Sequence, residues 1–140
     1  MIVVIDTNVV LTMFKPVHAN RPVFEAWAAN RLRWAVSTDI LLEYEEVMTR
    51  LNSATYAGLA FQTMNAIESV RRNLIRVSPS FRFRLITADV DDDKFADCAI
   101  AAEADWIITG DHHFDALIGS GHKPQPITPE EFIARFLRGA

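Results

Sequence analysis

Ile2-Val3-Val4-Ile5-Asp6-Thr7-Asn8 opens the chain, and Trp106-Ile107-Ile108-Thr109-Gly110-Asp111 follows the same plan a hundred residues later. Each is a short apolar run ended by polar residues that include an aspartate. Polar and apolar residues do not alternate within the runs. Each therefore reads as a strand buried on both faces, the pattern of a parallel sheet. In open α/β sheets, ligand sites form beyond the carboxyl ends of strands. If these two strands are neighbours, Asp6 and Asp111 point into one crevice. Each aspartate taken alone also suits an ordinary strand-to-loop turn.

The rest of the chain alternates helices with strands. Residues 22–30 set Val23, Ala26 and Trp27 at helical spacing, with Pro22 near the first turn. Residues 33–36 read as a second strand. Ser37 or Thr38 then caps a helix whose apolar stripe is Ile40, Tyr44, Val47 and Leu51, with Asp39 favourably placed in its first turn. Residues 56–73 predict another helix, weakened by Gly58, and residues 75–77 a short strand before Pro79. Residues 93–104 are alanine-rich and helical. Ile127 reads as a brief edge strand between prolines. Thr128-Pro129-Glu130-Glu131 is a capping box that starts a last helix running to about Leu137. The pattern predicts a three-layer α/β/α fold with a mainly parallel central sheet, with residues 1–140 as one domain.

Composition narrows the class. A chain of 140 residues buries roughly two-thirds of its unfolded surface, enough for a core without staples. Half the residues are hydrophobic and 23% are charged, which excludes a disordered or collagen-like chain. Cys98 is the lone cysteine, so an internal disulfide and a Cys-rich zinc module are excluded. The longest uncharged run, residues 51–67, carries Asn, Ser, Thr and Gln and is too polar for a membrane span. The apolar start lacks a basic leader and is interrupted by Asp6, so no signal peptide is predicted and a cytoplasmic location is expected.

The net charge of −4 argues by itself against a nucleic-acid partner, but the distribution says more. Residues 1–88 hold ten Lys/Arg and seven Asp/Glu, a net of +3, while residues 89–140 hold four and eleven, a net of −7. The first part contains Arg71, Arg72, Arg76, Arg82 and Arg84 with no acid among them; the second contains Asp89, Asp91, Asp92, Asp93 and Asp97. Solvated faces account for such clusters in the ordinary case. The sharper reading pairs an acidic pocket for divalent cations with a basic strip for phosphates, with Arg76, Arg82 and Arg84 as candidate RNA contacts.

Four acids stand out. Asp97 is the one charge between Phe95 and Ala102, and it lies too deep in its helix to cap it. A lone carboxylate on so apolar a helix costs several kcal/mol to bury unless paired, and a metal cation is a good partner. Asp93 lies one turn earlier on the same face; capping and the helix dipole also account for it and for Asp92. Glu43 borders the apolar stripe between Ile40 and Val47, while Glu45 and Glu46 fall away from it. Asp6, Glu43, Asp97 and Asp111 thus come from four separate elements. Like charges held close repel unless cations bind, and hard oxygen donors select Mg²⁺ or Mn²⁺.

In order and spacing these segments resemble the PIN-domain family. The matching stretches are Val3 to Asn8, Ser37 to Tyr44, Asp92 to Ala102 and Ile107 to Asp111, which together span nearly the whole chain. The chain is most similar to the prokaryotic branch of toxins in toxin–antitoxin pairs, related to the VapC toxins. The resemblance implies a Mg²⁺- or Mn²⁺-dependent ribonuclease with a small parallel sheet flanked by helices, an RNA substrate and a cognate antitoxin. By motif, Asp6, Glu43, Asp97 and Asp111 would be the catalytic, metal-binding quartet. Asn8 and Thr109 would be polar supports, and Asp115 an extra acid near the last site. Asp92 or Asp93 would share or replace the role of Asp97. The amphipathic helices after position 50 offer a face for a homodimer or for the antitoxin.

Rival readings lack a necessary residue. A phosphatase of the haloacid-dehalogenase type needs a second acid two residues after the first, where this chain has Asn8. A phospho-receiver domain wants a lysine after a late strand, where this chain has Thr109-Gly110-Asp111-His112-His113. The two histidines there suit a polar surface loop, with metal or phosphate contact as the alternative. One cysteine and four scattered histidines give no zinc-ligand spacing, and no base stands ready to activate Cys98 as a nucleophile. A housekeeping RNA-processing nuclease and a non-cleaving RNA- or protein-binding module remain as alternative functions.

Overall fold

β1 (Ile2–Ile5) runs through the middle of a parallel sheet, and the chain fills the two sides of it in turn. β2 (Arg33–Val36) and β3 (Leu74–Arg76) extend the sheet to one side, and β4 (Trp106–Ile108) and β5 (Gln125–Ile127) to the other, giving the order β3-β2-β1-β4-β5. Every pairing is parallel. The structure, a computed structural model, describes residues 1–79, 93–118 and 123–138, with the backbone alone for Asp93, His113 and Ala116. Both predicted strands are buried on both faces: Val3, Val4, Ile5, Ile107 and Ile108 expose nothing to solvent. The register sets Val3 opposite Trp106 and Ile5 opposite Ile108, so the two strands end level with each other.

Among the described residues, six α-helices join or flank the strands: α1 (Thr7–Met13), α2 (Arg21–Ala28), α3 (Thr38–Leu51), α4 (Ala54–Arg71), α5 (Asp93–Ala101) and α6 (Pro129–Phe132). Helices cover the sheet in the predicted α/β/α arrangement: α5 packs on β1, β2 and β4, and α3 packs against α1, α4 and α5. Ser37, Ser53 and Thr128 cap their helices, each side-chain oxygen accepting a backbone N–H three residues on. Trp27, Trp34 and Tyr44 form an aromatic stack in the core, with the two indoles edge to face at 5.1 Å.

Several details depart from the sequence reading. Helix α1 was not expected. It starts directly from Asp6 and buries Val9, Val10, Leu11 and Met13, a run whose neighbours Phe14 and Lys15 leave little helical periodicity to see. The inner stripe of α3 is Ile40, Tyr44 and Met48; Val47 is half-buried and Leu51, at the helix end, is 60% exposed. Gly58 does not break α4, because it lies on an exposed face with no neighbour to crowd it. Helix α5 stops at Ala101 rather than Ala104, closed by Glu103 at φ 54° and by the Ala104 N–H donating to the Ala99 carbonyl. The last helix reaches Leu137 as predicted, but its second half is wound as a π-helix, with the Arg138 N–H reaching the Ile133 carbonyl.

Candidate active site

The strand order reverses at β1, so its carboxyl end and that of β4 flank a topological switch point, where open α/β sheets form their crevices. Asp6 sits there. It is the N-cap residue of α1, yet its side chain makes no capping bond. Instead its carboxylate accepts a 2.8 Å hydrogen bond from the Thr109 hydroxyl at the end of β4. The same hydroxyl oxygen accepts the Asp111 backbone N–H at 2.9 Å. The backbone repeats the tie, with the Asp6 N–H donating to the Ile108 carbonyl at 3.0 Å. Asp6 and Asp111 are thus joined through Thr109, which is buried, as is Asp6.

Burial raises the Asp6 carboxyl above its ordinary value, against the lowering effect of the Thr109 hydroxyl and the Thr7 backbone N–H; the negative charges of Asp111 and Glu43 raise it further. That influence places Glu43 and Asp111 within electrostatic reach of Asp6. Asp97, the fourth, is 95% buried on α5, the helix that packs on β1 and β4. Beside it, burial and the Asp97 charge push the thiol of the buried Cys98 up to about 12, which keeps it protonated near neutrality.

Glu43 leans inward, as its place on the helix predicted, while Glu45 and Glu46 are exposed. One of its oxygens accepts the Thr7 hydroxyl and the other accepts the Lys94 ammonium at 2.7 Å. Neither Thr7 nor Lys94 was singled out from the sequence, although each lies inside a motif: Thr7 between Asp6 and Asn8, Lys94 directly after the paired aspartates. Asn8, the predicted support, stands exposed in the first turn of α1. Tyr44 adds a further tie, its hydroxyl donating to the carbonyl of Ile5 and so fixing α3 against the end of β1.

Asp111 lines a cleft of about 160 Å³ with Thr109, Gly110, Asp115 and Glu131. Asp115 pairs there with His112 at 3.2 Å, and the His112 side chain is 93% exposed, as a surface-loop histidine would be. Arg76 is exposed at the carboxyl end of β3, on the same edge of the sheet as the crevice but two strands away from β1. Arg82, Arg84 and Asp92 lie outside the described residues, as does the side chain of Asp93.

Asp6, its carboxyl raised by burial and by the nearby charges of Asp111 and Glu43, offers with them hard oxygen donors of the kind a divalent cation takes. Among the described residues, no group of three or more His, Cys, Asp or Glu side chains is gathered closely enough to hold a metal ion. No described helix is long and apolar enough to cross a membrane.

No curated protein matches the chain significantly in sequence. Among solved structures, a chain of VapBC2 from Rickettsia felis, crystallised bound to a DNA fragment from its promoter, is similar in fold. It has a TM-score of 0.58 and 16% identity over 82% of this chain and 92% of that one. The model of the PIN domain matches residues 2–113, from the first residue of β1 to just past Asp111. A match that takes in the central strand, all four acids and the switch point between them settles the family: this chain belongs to the PIN-domain proteins.

Proposed function

We propose that this protein is a divalent-metal-dependent endoribonuclease and the toxin of a type II toxin–antitoxin pair. The observation that carries the reading is the Asp6–Thr109–Asp111 connection at the switch point, with the charges of Glu43 and Asp111 acting on Asp6 and with Asp97 buried on α5, the helix packed on β1 and β4. Asp6, Asp97 and Asp111 would hold Mg²⁺ or Mn²⁺, with Glu43 as a further ligand or as the support of the attacking water; Asp92, Asp93 and Asp115 are the reserve acids. A cation bound there supplies charge neutralisation at the phosphate and an acidified water. The chain does the rest. Thr109 and the Asp111 N–H fix the orientation of Asp6, and Thr7 and Lys94 fix that of Glu43. The reaction is hydrolysis of an RNA phosphodiester. Arg76, exposed at the carboxyl end of β3, contributes to a phosphate-binding strip on the same edge of the sheet, and Arg82 and Arg84 are further candidates from the sequence alone.

The likeness to VapBC2 supports an antitoxin as partner. Leu51, Leu59 and Val70 stand 58–76% exposed on α3 and α4, which suits a covered face, either by the antitoxin or by a second copy of the chain. The expected setting is the cytoplasm. Induced expression of the wild type should arrest growth and Asp6→Asn should not. Normal growth with abundant folded wild type would favour an RNA-processing role over a toxin.

A further inference from the structure

Lys94 occupies a position that helix electrostatics disfavours. It is the second residue of α5, where the helix dipole repels a cation. The gain that offsets this lies in the 2.7 Å ion pair with Glu43 on α3. Both side chains are about one-fifth exposed, so the pair is partly shielded from solvent and stronger than a surface contact. Thr7 binds the other oxygen of Glu43, so each oxygen of this carboxylate already accepts a hydrogen bond from the protein. Its charge nevertheless acts on Asp6, together with that of Asp111. The ammonium therefore pairs with one of the two carboxylates whose charges bear on Asp6.

We propose that Lys94 is the resident counter-cation of the acidic crevice: it neutralises Glu43 while the crevice holds no metal, and divalent-cation binding works against it. The inference rests on the metal-dependent reading above and gives it a control of affinity. The ammonium stabilises the metal-free fold by offsetting one charge of the cluster. The same positive charge repels an incoming divalent cation and competes for Glu43. Metal affinity is thus held below what the carboxylates alone would give, and loading is reversible. Lys94 is a positioning residue in this account, since it acts through Glu43.

The test compares wild type, Lys94→Gln and Lys94→Arg by Mn²⁺ calorimetry and by thermal melts in EDTA and in saturating Mn²⁺. Lys94→Gln is expected to bind Mn²⁺ on the order of tenfold more tightly. It should melt below wild type in EDTA, and the gap should close in Mn²⁺. Lys94→Arg, which keeps the charge, should resemble wild type. Unchanged or weaker Mn²⁺ binding by Lys94→Gln, beside a wild type that binds, would overturn the role of Lys94 alone. A wild type that binds no Mn²⁺ would overturn the metal reading and this inference with it. If Lys94→Gln does not fold, Mg²⁺ titration of the wild type followed by NMR of the lysine ammonium decides. Loosening of the Lys94 signal on loading is expected, and an unaltered signal at saturation would overturn the proposal.

Discussion

The hydroxyl of Thr109 donates a 2.8 Å hydrogen bond to the carboxylate of Asp6, joining residues 103 positions apart at the ends of two adjacent parallel strands. The same oxygen accepts the Asp111 N–H, so one buried threonine holds the Asp6 carboxylate and the backbone of Asp111 together. Thr109→Val keeps the shape and removes both bonds. It should cost about 1–3 kcal/mol of stability, the range for leaving buried polar partners unpaired. It should also lower activity by about 10–100-fold, as losing an outer partner of a metal ligand does. Thr109→Ser should restore most of both. Denaturant melts and cleavage rates of the two variants check this; a valine variant with full activity would show that the link does not position Asp6.

Asp6 also makes the metal-free fold sensitive to pH. Its folded carboxyl is raised above the ordinary 3.8 by burial. As pH climbs, the unfolded chain gives up this proton first, so ionisation of Asp6 increasingly favours unfolding until the folded group has titrated too. Asp6→Asn avoids that penalty and can still accept the Thr109 hydroxyl. In EDTA the variant should melt above wild type at about pH 7, and the gap should shrink as pH falls towards about 4. Equal melting temperatures at the higher pH would contradict the burial cost assigned to this carboxylate.

Tyr44 ties α3 to the end of β1 through the Ile5 carbonyl, from a fully buried position. Tyr44→Phe keeps the ring in the Trp27–Trp34–Tyr44 stack and should cost about 1 kcal/mol, the net worth of a hydrogen bond. Denaturant unfolding measures it. A variant as stable as wild type would mean that the bond adds nothing to the fold.

Cys98 should be silent. The thiol is buried, with its pKa pushed up to about 12, so almost none is thiolate near neutrality. A thiol reagent should label the native protein negligibly and the denatured protein fully. Rapid labelling of the native form would contradict the packing of α5.

The sequence exposed what burial writes into it. The two apolar runs at residues 2–5 and 106–108 are inner strands because continuous β-branched residues have no face to show to water. Asp97 stood out because one charge in an apolar helix demands a reason, and it is buried. Helix α1 escaped notice because a seven-residue element with buried residues on most of its surface lacks an amphipathic signature. The roles of Thr7 and Lys94 were hidden for another reason. Both act through Glu43, 36 and 51 residues away in sequence, and side chains that meet only in the folded state leave no spacing to read. Asn8 was placed near the site by motif, whereas its neighbour Thr7 is the residue turned inward, since successive side chains of a helix point in different directions.

The central claim is a metal-dependent ribonuclease built on the acids at the switch point. Its most direct test is cleavage of labelled RNA by the purified protein in Mn²⁺, in Mg²⁺ and in EDTA, beside Asp6→Asn purified identically. Wild type should cut with either metal and stop in EDTA, and Asp6→Asn should be slower by more than about 100-fold, beyond the usual cost of losing even an outer partner of a metal ligand. Equal cutting by the two proteins, or cutting that persists in EDTA, would contradict the account.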